Sequence, residues 1–133
     1  MTYKFHSVTY LIFALLLGCV GQQSAPETSP KADILAGLGD NHFTITTEND
    51  EVQAYFDRGL ILAYAFNHQE SAAAFQKAID TDPLCAMCYW GLAYVLGPNI
   101  NAPMEPSAVA KAYSAVQRAN ALSRGISPIE KAA

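Results

Sequence analysis

The sequence predicts an all-α fold built from antiparallel helix pairs, and three observations carry that prediction. Apolar residues recur at helical spacing from Glu48 to about Phe66, and again from Gln69 to Thr81. Only Asn67-His68 interrupts the two runs, which reads as a tight turn between helices. Tyr55-Phe56, Gly59 and Leu62 then recur 34 residues later as Tyr89-Trp90, Ala93 and Leu96, a period typical of stacked helical hairpins. At 133 residues there is room for one domain. Eight Lys and Arg against 12 Asp and Glu give a net charge of −4 with no basic cluster, which argues against a nucleic-acid partner.

The chain opens with a single lysine, Lys4, and an apolar run from Val8 to Val20. That run is shorter than the ~20 residues a membrane-crossing helix needs, and it suits the core of a signal peptide. Leu16-Leu17-Gly18-Cys19 resembles the lipobox of bacterial lipoproteins, with leucine where a small residue is more usual. The resemblance implies a signal peptide over residues 1–18 and lipidation of Cys19; an ordinary secretory signal with an unrelated cysteine is the alternative. It places the protein in the bacterial cell envelope as a membrane-anchored lipoprotein. By the same resemblance, to Gram-negative lipoproteins, the absence of aspartate after Cys19 implies the periplasmic face of the outer membrane. Residues 19–47 read as a flexible tether and an extended lead-in. Gly21 to Lys31 (GQQSAPETSPK) is polar and cannot bury a core. Asp33 to Leu38 suits a short helical turn, and NHFTIT alternates around Phe43 and Ile45.

Residues 48–126 hold the two hairpins. Thr47 followed by Glu48, Asp50 and Glu51 is a helix start, a hydroxyl cap with acids in the first turn. The second helix puts Ala72, Phe75, Ala78 and Ile79 on one face, and Pro83 ends it or opens the next. The third spans roughly Pro83 to Leu96 and is stopped by Gly97-Pro98. A proline-rich loop over residues 97–106 follows, before Ser107 caps a fourth helix running to about Ser123. Ser127-Pro128-Ile129-Glu130 combines a cap, a first-turn proline and a capping-box acid, so residues 127–133 read as the start of a further helix. Two hairpins are few for an array of this kind, so the expectation is the front portion of a longer repeat protein.

The period and residue types together resemble the tetratricopeptide repeat, a 34-residue antiparallel helix pair. Tyr55, Gly59, Ser71, Phe75, Ala78 and Pro83 stand at the places this family fills with an aromatic, a small contact residue, small–aromatic–small, and proline. Arg58 departs from the family's usual leucine. Gly59 lowers helix propensity by about 1 kcal/mol relative to alanine, so close packing is the reason to expect it there. At finer grain HFTITT, FDRGLILAYAFNHQESAAAF and DPLCAMCYWGLAYVLGPNINAPM resemble bacterial exported tetratricopeptide proteins. The resemblance implies a concave groove lined by Gln53, Phe56, Leu60, Ala63 and Tyr64, then Met87, Trp90 and Tyr94. The Lys, Arg and Asn clamp that some members use for acidic peptides is missing. An apolar, aromatic groove suits a protein or extended-peptide partner, or the chain's own further repeats.

Cys85 and Cys88 are the remaining chemical feature. Tyr89 stands where a haem-attachment motif needs histidine. Structural zinc needs four ligands, and only two thiols with the distant His42 and His68 are present. A disulfide or reduced core pair, a soft-metal site using Cys85, Met87, Cys88 and His68, and a redox couple remain open. His68 reads as a turn histidine bonded to backbone, or as a ligand; His42 has no evident partner. No Ser-His-Asp set, carboxylate pair or phosphate-binding loop is present, so neither catalysis nor a cofactor is implied.

Overall fold

Asn49 starts the first helix. In the computed structural model, which describes residues 39–101 and 103–133, its side chain accepts from the N–H groups of Glu51 (2.9 Å) and Val52 (3.4 Å). Helix α1 is Asp50–Tyr64. Thr47 is therefore not the cap that its position promised: its hydroxyl accepts from the N–H of Asn49 instead, at 3.2 Å. Asparagine is among the strongest N-caps, and the threonine two residues earlier shapes the turn that delivers it. The expected signal peptide, Cys19 and the tether through Leu38 lie outside the described residues.

The end of α1 is a Schellman closure. The N–H of Phe66 donates to the carbonyl of Ala63 and that of Asn67 to Leu62, with Phe66 in the left-handed region at φ 59°. Glycine usually holds that position, because a side chain there costs about 1–2 kcal/mol. Asn67 then caps helix α2, His68–Thr81, accepting from the N–H of Glu70. One residue thus closes α1 and opens α2, which keeps the connection short and turns the chain back on itself.

Asp82 ends α2 and shapes the next turn, accepting from the N–H of Leu84 through its side chain and from Cys85 through its carbonyl. Pro83 sits in that turn, so helix α3, Ala86–Leu96, begins three residues later than its proline suggested. After Gly97 the chain crosses to a single 3₁₀ turn at Pro106–Ala108, which runs into helix α4, Val109–Leu122. Ser107 lies inside that 3₁₀ turn, and neither it nor Ala108 caps α4 through a side chain. Proline at the first position fixes the entry without a cap. Single 3₁₀ turns at Ser123–Gly125 and Glu130–Ala132 complete the described chain. Among the described residues the fold is all-α with four α-helices, and no helix is long and apolar enough to cross a membrane.

Successive helices pack as neighbours, α1 on α2, α2 on α3 and α3 on α4, and α1 also touches α3. Phe75 of α2 is at the centre, fully buried and edge-on to Phe56 of α1 with ring centroids 5.6 Å apart. A Cβ added at Gly59 would stand 2.7 Å from Phe75 Cε1, and one added at Gly91 only 2.3 Å. The ring is seated between two backbones, one from α1 and one from α3. Ser71 reinforces the first contact by donating its hydroxyl to the Gly59 carbonyl at 2.6 Å, so its buried oxygen is satisfied. Gly59 therefore has the close-packing role its cost implied. Its partner on α3 is Gly91, two residues before the Ala93 that the 34-residue period aligns with it.

Gly91→Ala gains helix propensity but forces the buried ring to move. We expect a net loss of about 1–3 kcal/mol by urea denaturation. Pairing it with Phe75→Leu removes the obstructing Cε1 and Cζ, so the double variant is expected to lose less than the two single losses added together.

Candidate functional site

The inner surface formed by α1 and α3 is the region where the predicted groove residues gather, and much of it is already covered. Phe56 is fully buried, and Leu60, Ala63 and Met87 are buried with it. They belong to the core rather than to an open groove. The cover comes from the extended lead-in, whose Ile45 is buried and whose Phe43 ring lies 6.2 Å from that of Phe56. Alternation places Phe43 and Ile45 inward, while His42 and Thr44 stay exposed.

Gln53 is not an open groove residue either. Its Oε1 accepts from the N–H of Ile45 at 3.0 Å, and its Nε2 donates to the carbonyl of Phe43 at 2.9 Å and to Asp57 Oδ1 at 3.0 Å. Asp57 Oδ1 also accepts from the N–H of Phe43 at 3.1 Å. His42, without an evident partner in the sequence, lies 2.6 Å from Asp57 Oδ2 through Nδ1 and 3.1 Å from the Thr44 hydroxyl through Nε2. Two side chains one helical turn apart thus grip three main-chain groups, from Phe43 and Ile45, of an extended segment.

Glu130 holds the other end of the lead-in. Its carboxylate accepts from the N–H and hydroxyl of Thr46 at 2.7 and 2.6 Å, and from the N–H of Ser127 at 2.8 Å. Ser127 Oγ in turn accepts from the N–H of Glu130 at 3.4 Å, so the reciprocal capping-box bonds form around a 3₁₀ turn. The side chain is 4% exposed. Burial pushes its pKa up, but the bonds from Ser127 and Thr46 outweigh that, and the net shift is downward. Neither the Glu130–Thr46 link nor the Gln53 grip has a periodic signature in the sequence, so pattern reading missed both.

The uncovered part of this surface is aromatic. Trp90 and Tyr94 of α3 stack in parallel with centroids 5.5 Å apart, and Tyr94 is half exposed. Tyr64, also well exposed, borders with Trp90 a hollow of about 180 Å³ floored by Phe56, Leu60 and Met87. A second cleft of about 350 Å³ is also lined by Trp90 and runs between α3 and α4, past Ala93, Val116 and Ala119. Trp90 borders both hollows.

Cys85 and Cys88 are joined by a disulfide with Cα atoms 5.4 Å apart, and Cys85 Sγ accepts from the N–H of Cys88 at 3.1 Å as the N-cap of α3. Both are essentially buried, as is Met87, so an incoming thiolate has no approach to the sulfurs. His68 is remote from them at the first position of α2, edge-on to Phe66, and neither of its ring nitrogens has a hydrogen-bond partner among the described residues. The backbone bond expected of it does not form. No group of three or more His, Cys, Asp or Glu converges as a metal site among the described residues. Arg58, where leucine was expected, reaches towards Glu70 of α2 with 3.9 Å between the charged groups.

No protein-family model matches the chain, and no curated protein or solved structure is significantly similar to it.

Because its folded-state pKa is lowered, the stability Glu130 contributes is complete above the ordinary glutamate range and is lost as pH falls through the lower folded value. Glu130→Gln should cost about 2 kcal/mol at pH 7. It should also flatten the acid limb of stability against pH, read by denaturation across pH 3 to 7, roughly spanning the carboxylate range.

Proposed function

We propose that this chain is a tetratricopeptide-like scaffold of the bacterial cell envelope that binds protein through the aromatic part of its inner face. Lipid on Cys19 would hold it at a membrane, on the resemblance of Leu16 to Cys19 to a lipobox. The reading of the helices as repeats rests on Gly59, Ser71 and Phe75 meeting at one close contact in the order that family uses.

One observation carries the binding reading. Tyr64 and Trp90 border a hollow whose floor is apolar, and the exposed Tyr94, stacked on Trp90, extends the aromatic surface beyond it. Large aromatics with a fixed orientation lose little side-chain freedom on binding and bury much area, which is why they dominate interface energies. The groove is smaller than the full set of helix positions implied, because its Gln53 and Phe56 portion lies under the lead-in. What is left suits an apolar anchor from a partner, inserted between Tyr64 and Trp90.

Trp90→Ala combined with Tyr94→Ala is expected to abolish recovery of bound protein from a detergent extract of envelope, a loss of about 2 kcal/mol or more in binding. Circular dichroism should show helical content unchanged. Unchanged recovery with the double variant overturns the assignment.

A further inference from the structure

We infer that the α1 side of the inner face is a main-chain-reading peptide site, and that residues 42–46 are its resident ligand. The partner it fits is an extended protein segment with an aromatic residue and a β-branched apolar residue two positions apart. This deepens the reading of the inner face as a protein-binding surface and rests on it.

The contacts divide as they do when a receptor binds an extended peptide. Main-chain groups go to fixed polar side chains: Phe43 N–H to Asp57, Phe43 carbonyl to Gln53 Nε2, and Ile45 N–H to Gln53 Oε1. Alternate side chains go to the apolar surface, Phe43 against Phe56 and Ile45 into the core. A carboxamide that both donates to one peptide carbonyl and accepts from an N–H two residues on has the bonding pattern of a neighbouring strand. The carboxamide is indifferent to which side chains the segment carries, so selection comes from the inward pair and from the His42 ring that meets Asp57 Oδ2.

Gln53 and Asp57 are held ready for this. They bond to each other at 3.0 Å across one turn of α1, which fixes the carboxamide's orientation before any segment arrives. The resident segment joins α1 through only Thr47, Glu48 and Asn49. Its effective concentration at the site is therefore high, and a partner segment competes only where it binds more strongly or where the resident one is loosened. The Thr46–Glu130 bonds add a second tether, outside the Gln53 grip.

The probe is a fluorescein-labelled peptide of residues 41–47, NHFTITT, titrated by anisotropy against the full chain. Phe43→Ala with Ile45→Ala weakens the resident segment and leaves the site intact, so it should bind the peptide about tenfold or more tighter than the unaltered chain does. Adding Gln53→Ala should remove that gain. A peptide with Phe and Ile both replaced by Ser should bind neither form. A second variant, with about eight Gly and Ser residues inserted between Thr47 and Glu48, lowers the resident segment's effective concentration without touching its contacts. It should also gain peptide binding, and it decides the question should the alanine variant lose its helical signal. Absence of any gain in the inserted variant, or equal binding of the Ser-substituted peptide, overturns the inference. Because Trp90 and Tyr94 are unaltered here, a failure of the peptide site leaves the envelope-extract result standing, and the reverse holds as well.

Discussion

The ring of Phe75 fixes the distances between the first three helices. It projects from α2 into a space that α1 and α3 leave only because Gly59 and Gly91 lack side chains. A buried phenylalanine contributes about 1.5–3 kcal/mol through burial, but here its geometric effect is larger than that figure conveys. Any side chain at either glycine would force the Phe75 ring or a helix to shift, and interiors at crystal-like density absorb such a shift poorly. The separation of α1 from α3 is therefore set from behind, by a residue on the helix between them. That separation defines the inner face.

Once α1 and α3 are set, the rest of the inner face follows in order. Phe56, Leu60 and Met87 come close enough to form a continuous apolar floor. Such a floor needs covering, and the lead-in covers its α1 side with Phe43 and Ile45 while on α3 Trp90 stays only partly buried and Tyr94 exposed. The division is set by polar chemistry. Only α1 presents Gln53 and Asp57, which can satisfy the main chain of an extended segment; the equivalent stretch of α3 is Met87 to Gly91, with no carboxamide or carboxylate. An extended chain lying on α3 would leave its N–H and carbonyl groups facing an apolar surface, at a penalty of about 1–3 kcal/mol for each one left unpaired.

Helical content was legible in the sequence because it follows from the spacing of apolar residues, and the four helices lie within a few residues of where periodicity puts them. The boundaries moved where two capping chemistries competed. Asn49 prevailed over Thr47, the Asp82-Pro83 turn delayed α3 to Ala86, and Pro106 made Ser107 part of a 3₁₀ turn. Gly59 was legible as a contact residue, since an unfavourable helix residue needs a reason. Gly91 was hidden because the repeat register draws attention to Ala93, whereas Phe75 crosses α3 two residues earlier. For the inner face, reading by register treated Gln53 and Phe56 as solvent-facing neighbours of Trp90. Nothing in their types shows that a segment some ten residues earlier folds back over them, because side-chain bonds to main chain leave no pattern in composition.

Glu130 shows how one residue can serve local and distant structure together. Its reciprocal bonds with Ser127 are a helix-start device, legible as such in Ser127-Pro128-Ile129-Glu130. The same carboxylate accepts two bonds from Thr46, across 84 residues of chain. A carboxylate has about four acceptor sites, so the local cap leaves capacity for the distant partner without competition between them. Removing so buried a carboxylate from water is tolerable only because three donors surround it, and one side supplies too few alone. Its burial thus requires the lead-in and the 127–130 turn to be in place together. The seat of the lead-in on α1 is consequently not a property of the first hairpin by itself. It is completed by a turn that follows α4, so the covering of the inner face is tied through Glu130 to the end of the second hairpin.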